Sequence, residues 1–130
     1  MKIRRLDHLV LTVRDIETTV AFYTNVLGMG CVTFADRRRA LSFGDQKINL
    51  HSADDPITPH AAHPMPGSAD ICLISAEPIA DVIKSFQLAG VAIEEGPVQR
   101  RGALGSLRSV YIRDPDGNLV EVSTYQPLVA

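Results

Sequence analysis

The chain contains no tryptophan, only two cysteines, few aromatic residues and no long uninterrupted apolar run. Two cysteines cannot supply a disulfide framework. Cys31 and Cys72 each sit inside an apolar, strand-like stretch and read as reduced core residues of a cytosolic protein. No stretch approaches the ~18 apolar residues that a membrane span requires, so no membrane partner is expected. The opening MKIRRLDHLVLTV has a charged start but no small-residue cleavage pattern behind it, and reads as a first strand rather than a signal peptide. An excess of positive charge is also missing: 13 Lys and Arg against 15 Asp and Glu leave a net charge of −2. That excludes the broad basic footprint of a nucleic-acid binder. The local clusters Arg37–Arg39 and Arg100–Arg101 read as solvated turns.

What remains is 130 residues of ordinary globular composition, 45% hydrophobic and 22% charged, a length that suits one domain. The chain repeats itself. A shift of 62 positions lays DHLVLTVRDIETTVAFYTNVLGM over ADICLISAEPIADVIKSFQLAGV, each an apolar strand, a short break, a helix and a glycine. Asp15 is a good helix N-cap, and the stripe Ile16, Val20, Tyr23, Leu27 has helical spacing. In the second copy Pro78 opens the helix and Ile79, Val82, Ile83 and Phe86 form the stripe. Gly28 and Gly90 suit the left-handed position that ends a helix.

Three short strand-like runs follow each helix: CVTFA, ALSF and KINLH, then AIEEGPVQ, RSVYI and NLVEVSTY. By the last of these the offset has grown to 72, and the RRGALGS loop is the natural home for the extra residues. The expected organisation is βαβββ twice: a first module over residues 1–53, a proline-rich linker over 54–67 and a second module over 68–126. The fold class is α+β, with two such modules forming a curved, half-barrel mixed sheet.

The repeat aligns polar residues. His8 falls on Asp70 in the first strand of each half, and Asn49 on Glu121 in the last. Alone, His8 reads as an ordinary core histidine, Asp70 as a turn cap, Asn49 as a strand-end residue and Glu121 as a carboxylate on a wet face. Together, four polar groups at matched points among apolar neighbours carry a burial cost that a shared divalent cation would relieve. His51, two residues after Asn49 on the same face, reads as a pocket-wall or substrate-contacting residue. A His8, His51, Glu121 set, which would suit non-haem iron, is the alternative. His60 and His63 read as solvated linker residues.

The segments DHLVLTV, FYTNVLGM and YIRDPDGNLVEV resemble the vicinal oxygen chelate superfamily. It includes glyoxalase I, extradiol dioxygenases, methylmalonyl-CoA epimerase, thiol transferases acting on fosfomycin, and bleomycin-binding proteins. FGDQKINLH, PGSADICLI and EEGPV with DPDGN are similar to its glyoxalase-domain proteins of unsettled substrate. The resemblance covers nearly the whole chain. It places family metal ligands on His8 and Glu121, with Asp70 where a histidine is usual and Asn49 where some members carry glutamate or glutamine. Both are shorter than the residues they replace.

The resemblance implies a divalent ion (manganese, iron, zinc or nickel) and vicinal oxygens of a small α-oxygenated carbonyl substrate chelated for isomerisation or lyase chemistry. Glu121 and Asp70 would be the catalytic carboxylates. Asn49, His51, Arg100 and Arg101 would contact substrate. Other readings are a drug- or toxin-binding resistance protein without catalysis, then a dioxygenase or a thiol transferase anchored by Arg100, Arg101 or Arg113. A homodimer in the cytoplasm is expected, because the exposed edges of such modules are commonly paired.

Overall fold

The computed structural model describes residues 1–127, in two units that divide between Ser68 and Ala69. The first contains β1 (His8–Val13), α1 (Ile16–Asn25), β2 (Gly30–Phe34), β3 (Arg38–Phe43) and β4 (Gln46–Ser52). The second contains β5 (Asp70–Ile74), α2 (Ile79–Leu88), β6 (Glu95–Arg101), β7 (Ser106–Arg113) and β8 (Leu119–Tyr125). Each unit is a four-stranded mixed sheet with one helix. The strand orders are β1-β4-β3-β2 and β5-β8-β7-β6, and neither sheet closes into a barrel. No helix of the described residues is long and apolar enough to cross a membrane.

The register carries the sequence repeat through rung by rung. In the parallel pair β1/β4, His8 faces Lys47, Val10 faces Asn49 and Thr12 faces His51. In β5/β8, Asp70 faces Leu119, Cys72 faces Glu121 and Ile74 faces Ser123. First strands thus differ by 62 and last strands by 72, so each residue keeps the partner its counterpart has. Most of the added length does not enlarge a loop. It extends the β6–β7 hairpin by the further rungs Gln99–Arg108, Arg100–Leu107 and Arg101–Ser106. Arg100 and Arg101 therefore lie in a strand, not in the loop expected from their glycine-rich surroundings, and alternation sends them to opposite faces.

Helix α1 starts where the Asp15 side chain accepts a hydrogen bond from the Thr18 N–H at 2.9 Å, a cap worth about 1 kcal/mol. It ends before Leu27, so the last member of the expected stripe lies beyond it. Gly28 and Gly90 both have φ +69°, with open space where a side-chain methyl group would stand. Conformation alone, not crowding, calls for glycine there. Gly96 differs: a Cβ would lie 2.5 Å from the Ser109 carbonyl oxygen, inside the irregularity between Glu95 and Val98.

Alternation sends one face of each sheet beneath its helix. Leu11, Val13, Leu41, Ile48 and Leu50 pack with Tyr23 in the first unit. Val110, Ile112, Val120 and Val122 pack with Val82 and Phe86 in the second. Each such side chain contributes about 1.5–3 kcal/mol of transfer free energy. The opposite faces carry the polar residues. The cysteines correct the sequence reading: both are free, but both are exposed rather than in the core. The triplet at 37–39 is corrected too. Ala35, Asp36 and Arg37 form the turn with positive φ, whereas Arg38 and Arg39 enter β3, partly buried.

Candidate functional site

The helix-free face of the first unit presents His8, Val10 and Thr12 from β1 beside Lys47, Asn49 and His51 from β4. His8 Nδ1 lies 2.8 Å from Asp7 Oδ1. A carboxylate only accepts, so Nδ1 carries the proton and Nε2 is left with its lone pair in the neutral ring. The same bond, with the histidine's charge, holds the Asp7 carboxyl below its ordinary range. An imidazole oriented by a carboxylate at one nitrogen is the usual preparation for ligating a metal through the other. Asn49 is 5% exposed, and its Oδ1 is buried without a hydrogen-bond partner.

His51 is 4% exposed. Arg38 Nη2 lies 3.4 Å from its Nε2. Burial, then the charges of Arg38 and His60, push the His51 pKa below its ordinary 6.5. The unfolded chain takes up this proton first as pH falls, so stability is full above 6.5 and declines from there toward the folded-state value. His51→Gln should flatten that part of the acid limb, measured as Tm against pH below 6.5. A Tm profile parallel to that of the parent chain would contradict this assignment. His51 also lines a pocket of about 290 Å³ with Val10, Thr12, Pro59, His60 and Ala61. The proline-rich segment thus packs over the sheet face of its own unit. His60 is exposed, as expected, yet it belongs to this wall.

In the second unit the matching face carries Asp70, Cys72, Glu121 and Ser123. Ser123 Oγ lies 3.2 Å from Glu121 Oε2, donating to it, and 2.6 Å from Ser109 Oγ. Tyr111 faces Glu121 across the antiparallel rung. Arg100 Nε donates to the Tyr111 hydroxyl at 2.9 Å, and Arg100 Nη2 to Glu95 at 3.2 Å. Burial, opposed by Arg100 and reinforced by the Glu121 charge, raises the Tyr111 pKa, so the phenol stays protonated. The mid-strand carboxylate therefore stands among hydroxyl groups, with an arginine one residue further off. Arg113 is held by both Glu94 oxygens at 2.9 and 3.0 Å.

The structure thus brings Asp70 and Glu121 to one face of the second unit, and His8, Asn49 and His51 to one face of the first. Arg100 shares the Glu121 face but is already engaged, and Arg101 lies on the other. Among the described residues, no three His, Cys, Asp or Glu side chains gather closely enough to hold a metal. By chemistry, imidazole nitrogen, carboxylate oxygen and an unpartnered amide oxygen suit a divalent first-row cation. Tyr111, Ser109 and Ser123 do not stand out in the sequence. Counting two residues along each strand from Glu121 and across one rung would have found them.

A family model, Glyoxalase/Bleomycin resistance protein/Dioxygenase superfamily, matches residues 5–122. Virulence protein STM3117 of Salmonella typhimurium is 57% identical over 96% of this chain and 87% of its own length. Its crystal structure superposes with a TM-score of 0.96, covering 97% of this chain and 100% of that one. A glyoxalase domain-containing protein, RDO1, of Mycosarcoma maydis is 49% identical over 97% of this chain and 71% of its own. An integron cassette protein from the mobile metagenome of V. cholerae is 55% identical with a TM-score of 0.95, covering 97% of this chain and 98% of that one.

Proposed function

Because the chain belongs to the glyoxalase/bleomycin resistance/dioxygenase superfamily, we propose that it is a divalent-metal-dependent enzyme acting on a small α-oxygenated carbonyl compound. The observation that carries this reading is the matched placement of unlike donors. His8 and Asn49 occupy the same strand positions in one unit as Asp70 and Glu121 in the other. His8 Nε2 and Glu121 would hold the ion, with Asp70 and Asn49 as further donors. When bound, the ion supplies Lewis-acid stabilisation of negative charge developing on a substrate oxygen. Asp7 fixes the His8 ring. Ser123 orients Glu121, and the protonated Tyr111 beside it is a ready hydrogen-bond donor. Asp70, exposed at the start of β5, would take a proton from the carbon next to the carbonyl where it does not itself ligate the ion.

The chain is also expected to be cytoplasmic and to form a homodimer. A second reading, a passive small-molecule binder, is favoured by the lack of a gathered three-donor cluster among the described residues. The two separate in one experiment. Chelator-treated protein is titrated with Mn²⁺ and followed by electron paramagnetic resonance. The loaded protein is then assayed with α-ketoaldehyde–thiol adducts and with catechols. Stoichiometric Mn²⁺ with turnover supports the enzyme; no Mn²⁺, Zn²⁺ or Ni²⁺ binding leaves the passive pocket.

A further inference from the structure

The two units solve one structural position in opposite ways. Ser109 and Ser123 form a rung in the second unit and satisfy each other at 2.6 Å. Their counterparts in the first unit are Arg38, one step beyond the Arg39–Leu50 pair, and His51. Two hydroxyl groups close the position; a guanidinium and an imidazole leave it open. Arg38 can only donate, so His51 Nε2 accepts from it and Nδ1 carries the hydrogen. Nδ1 is buried without a partner, and so is Arg38 Nε. Both orphans are therefore donors lacking an acceptor, a state that costs about 1–3 kcal/mol per group.

Asp7, ahead of β1, is taken up by His8 and lies within the field of Lys47; among the described residues no acid is bonded to Arg38 or His51. The strand registers put no Asp or Glu on this face of the first unit. Arg38 and Lys47 sit 5.0 and 4.0 Å from the Phe34 ring centre instead. Neither has an ion-pair partner among the described residues. Beside this cluster the pocket joins polar groups, the Thr12 hydroxyl and the imidazoles of His51 and His60, to the apolar Val10, Pro59 and Ala61. His60 Nδ1 donates to the Ala61 carbonyl at 2.9 Å, so Nε2 is the nitrogen left to meet a ligand, and it donates to an anion as imidazolium.

We propose that this pocket is an anion subsite that takes the carboxylate of a short-chain organic acid. Thr12, His51 and His60 contact the carboxylate, and Arg38 supplies charge behind His51. Surplus donors without an acid identify an anion. The mixed apolar wall and the volume of about 290 Å³ fit a carboxylate on a few carbons better than a phosphate, which needs more donors around it. The inference rests on the enzymatic reading only where it narrows that substrate to an acid; the subsite itself does not require the metal.

The test is calorimetry of chelator-treated full-length protein at fixed ionic strength, with butyrate, butyramide and inorganic phosphate as probes. Butyrate should bind saturably, and butyramide and phosphate at least about tenfold more weakly. Arg38→Met and His60→Ala should each weaken butyrate about tenfold. His60 is exposed, so its variant keeps the fold. No saturable heat with butyrate, equal binding of butyramide or phosphate, or unchanged affinity in both variants overturns the subsite. A parallel Mn²⁺ titration keeps the two readings apart. Mn²⁺ uptake without butyrate binding sinks the subsite alone, and butyrate binding without Mn²⁺ sinks the metal enzyme alone.

Discussion

Replacing His8 and Glu121 together with alanine is expected to bring Mn²⁺ binding and turnover down to blank levels while the far-ultraviolet spectrum stays unchanged. The spectrum should survive because neither side chain packs in a core. His8 is 43% exposed at its side chain, and Glu121 lies on the face opposite Val120 and Val122. The loss should be large because the substitutions remove the imidazole donor and a carboxylate donor at once, leaving Asp70 and the neutral Asn49. A graded control accompanies the double variant. Asp7→Asn keeps the His8 ring but removes the charge on its Nδ1 side, and should weaken Mn²⁺ by about 10–100-fold. Turnover retained by the double variant, or an Asp7→Asn protein that binds Mn²⁺ as tightly as the parent, would remove the metal centre from the account.

Much of the architecture was legible because the hydrophobic pattern and the repeat constrained each other. The two offsets, 62 and 72, require that a pairing of first and last strand in one unit recur in the other, and the two registers agree. Asp15 and the paired glycines marked the helix ends through local backbone chemistry alone. What escaped was set by non-local pairing. Arg100 and Arg101 sit next to a glycine-rich stretch, yet β7 extends to meet them and turns loop into strand. Arg38 looked like part of a charged turn until Phe34 and His51 gave its side chain a surface to cover. The cysteines looked buried because their neighbours are apolar, but alternation puts Cys72 on the Glu121 face. Cys31, though on the Leu41 face, lies exposed in the edge strand β2 beside Arg39. In sequence the polar site is a set of isolated matched points. Its supporting hydroxyl groups, Ser109, Ser123 and Tyr111, are unremarkable there and acquire meaning only across rungs.

Asn118→Ala should lower the unfolding free energy by about 3 kcal/mol, more than any exposed change near the site. Asn118 is 1% exposed. Its Oδ1 accepts from the Ala69 N–H at 2.9 Å, and its Nδ2 donates to Asp114 Oδ2 at 2.7 Å. The other Asp114 oxygen accepts from the backbone N–H groups of Asp116 and Asn118, both at 2.9 Å. One amide side chain thus closes the DPDGN turn and ties it to the residue that precedes Asp70. Alanine strands a backbone donor and weakens the satisfaction of a carboxylate that is 6% exposed. Removing one partner of a buried polar contact costs far more than the net worth of the contact. The expected fall in Tm is on the order of 10 °C. Hydrogen exchange supplies a local readout, since the Ala69 amide should lose protection along with its acceptor. Asn118→Asp should be worse than alanine at neutral pH, because it sets two carboxylates within hydrogen-bonding distance. If alanine costs less than about 1 kcal/mol, the turn is held by its backbone bonds. The alignment of β5 with β8, on which the placement of Asp70 beside Glu121 depends, would then need another cause.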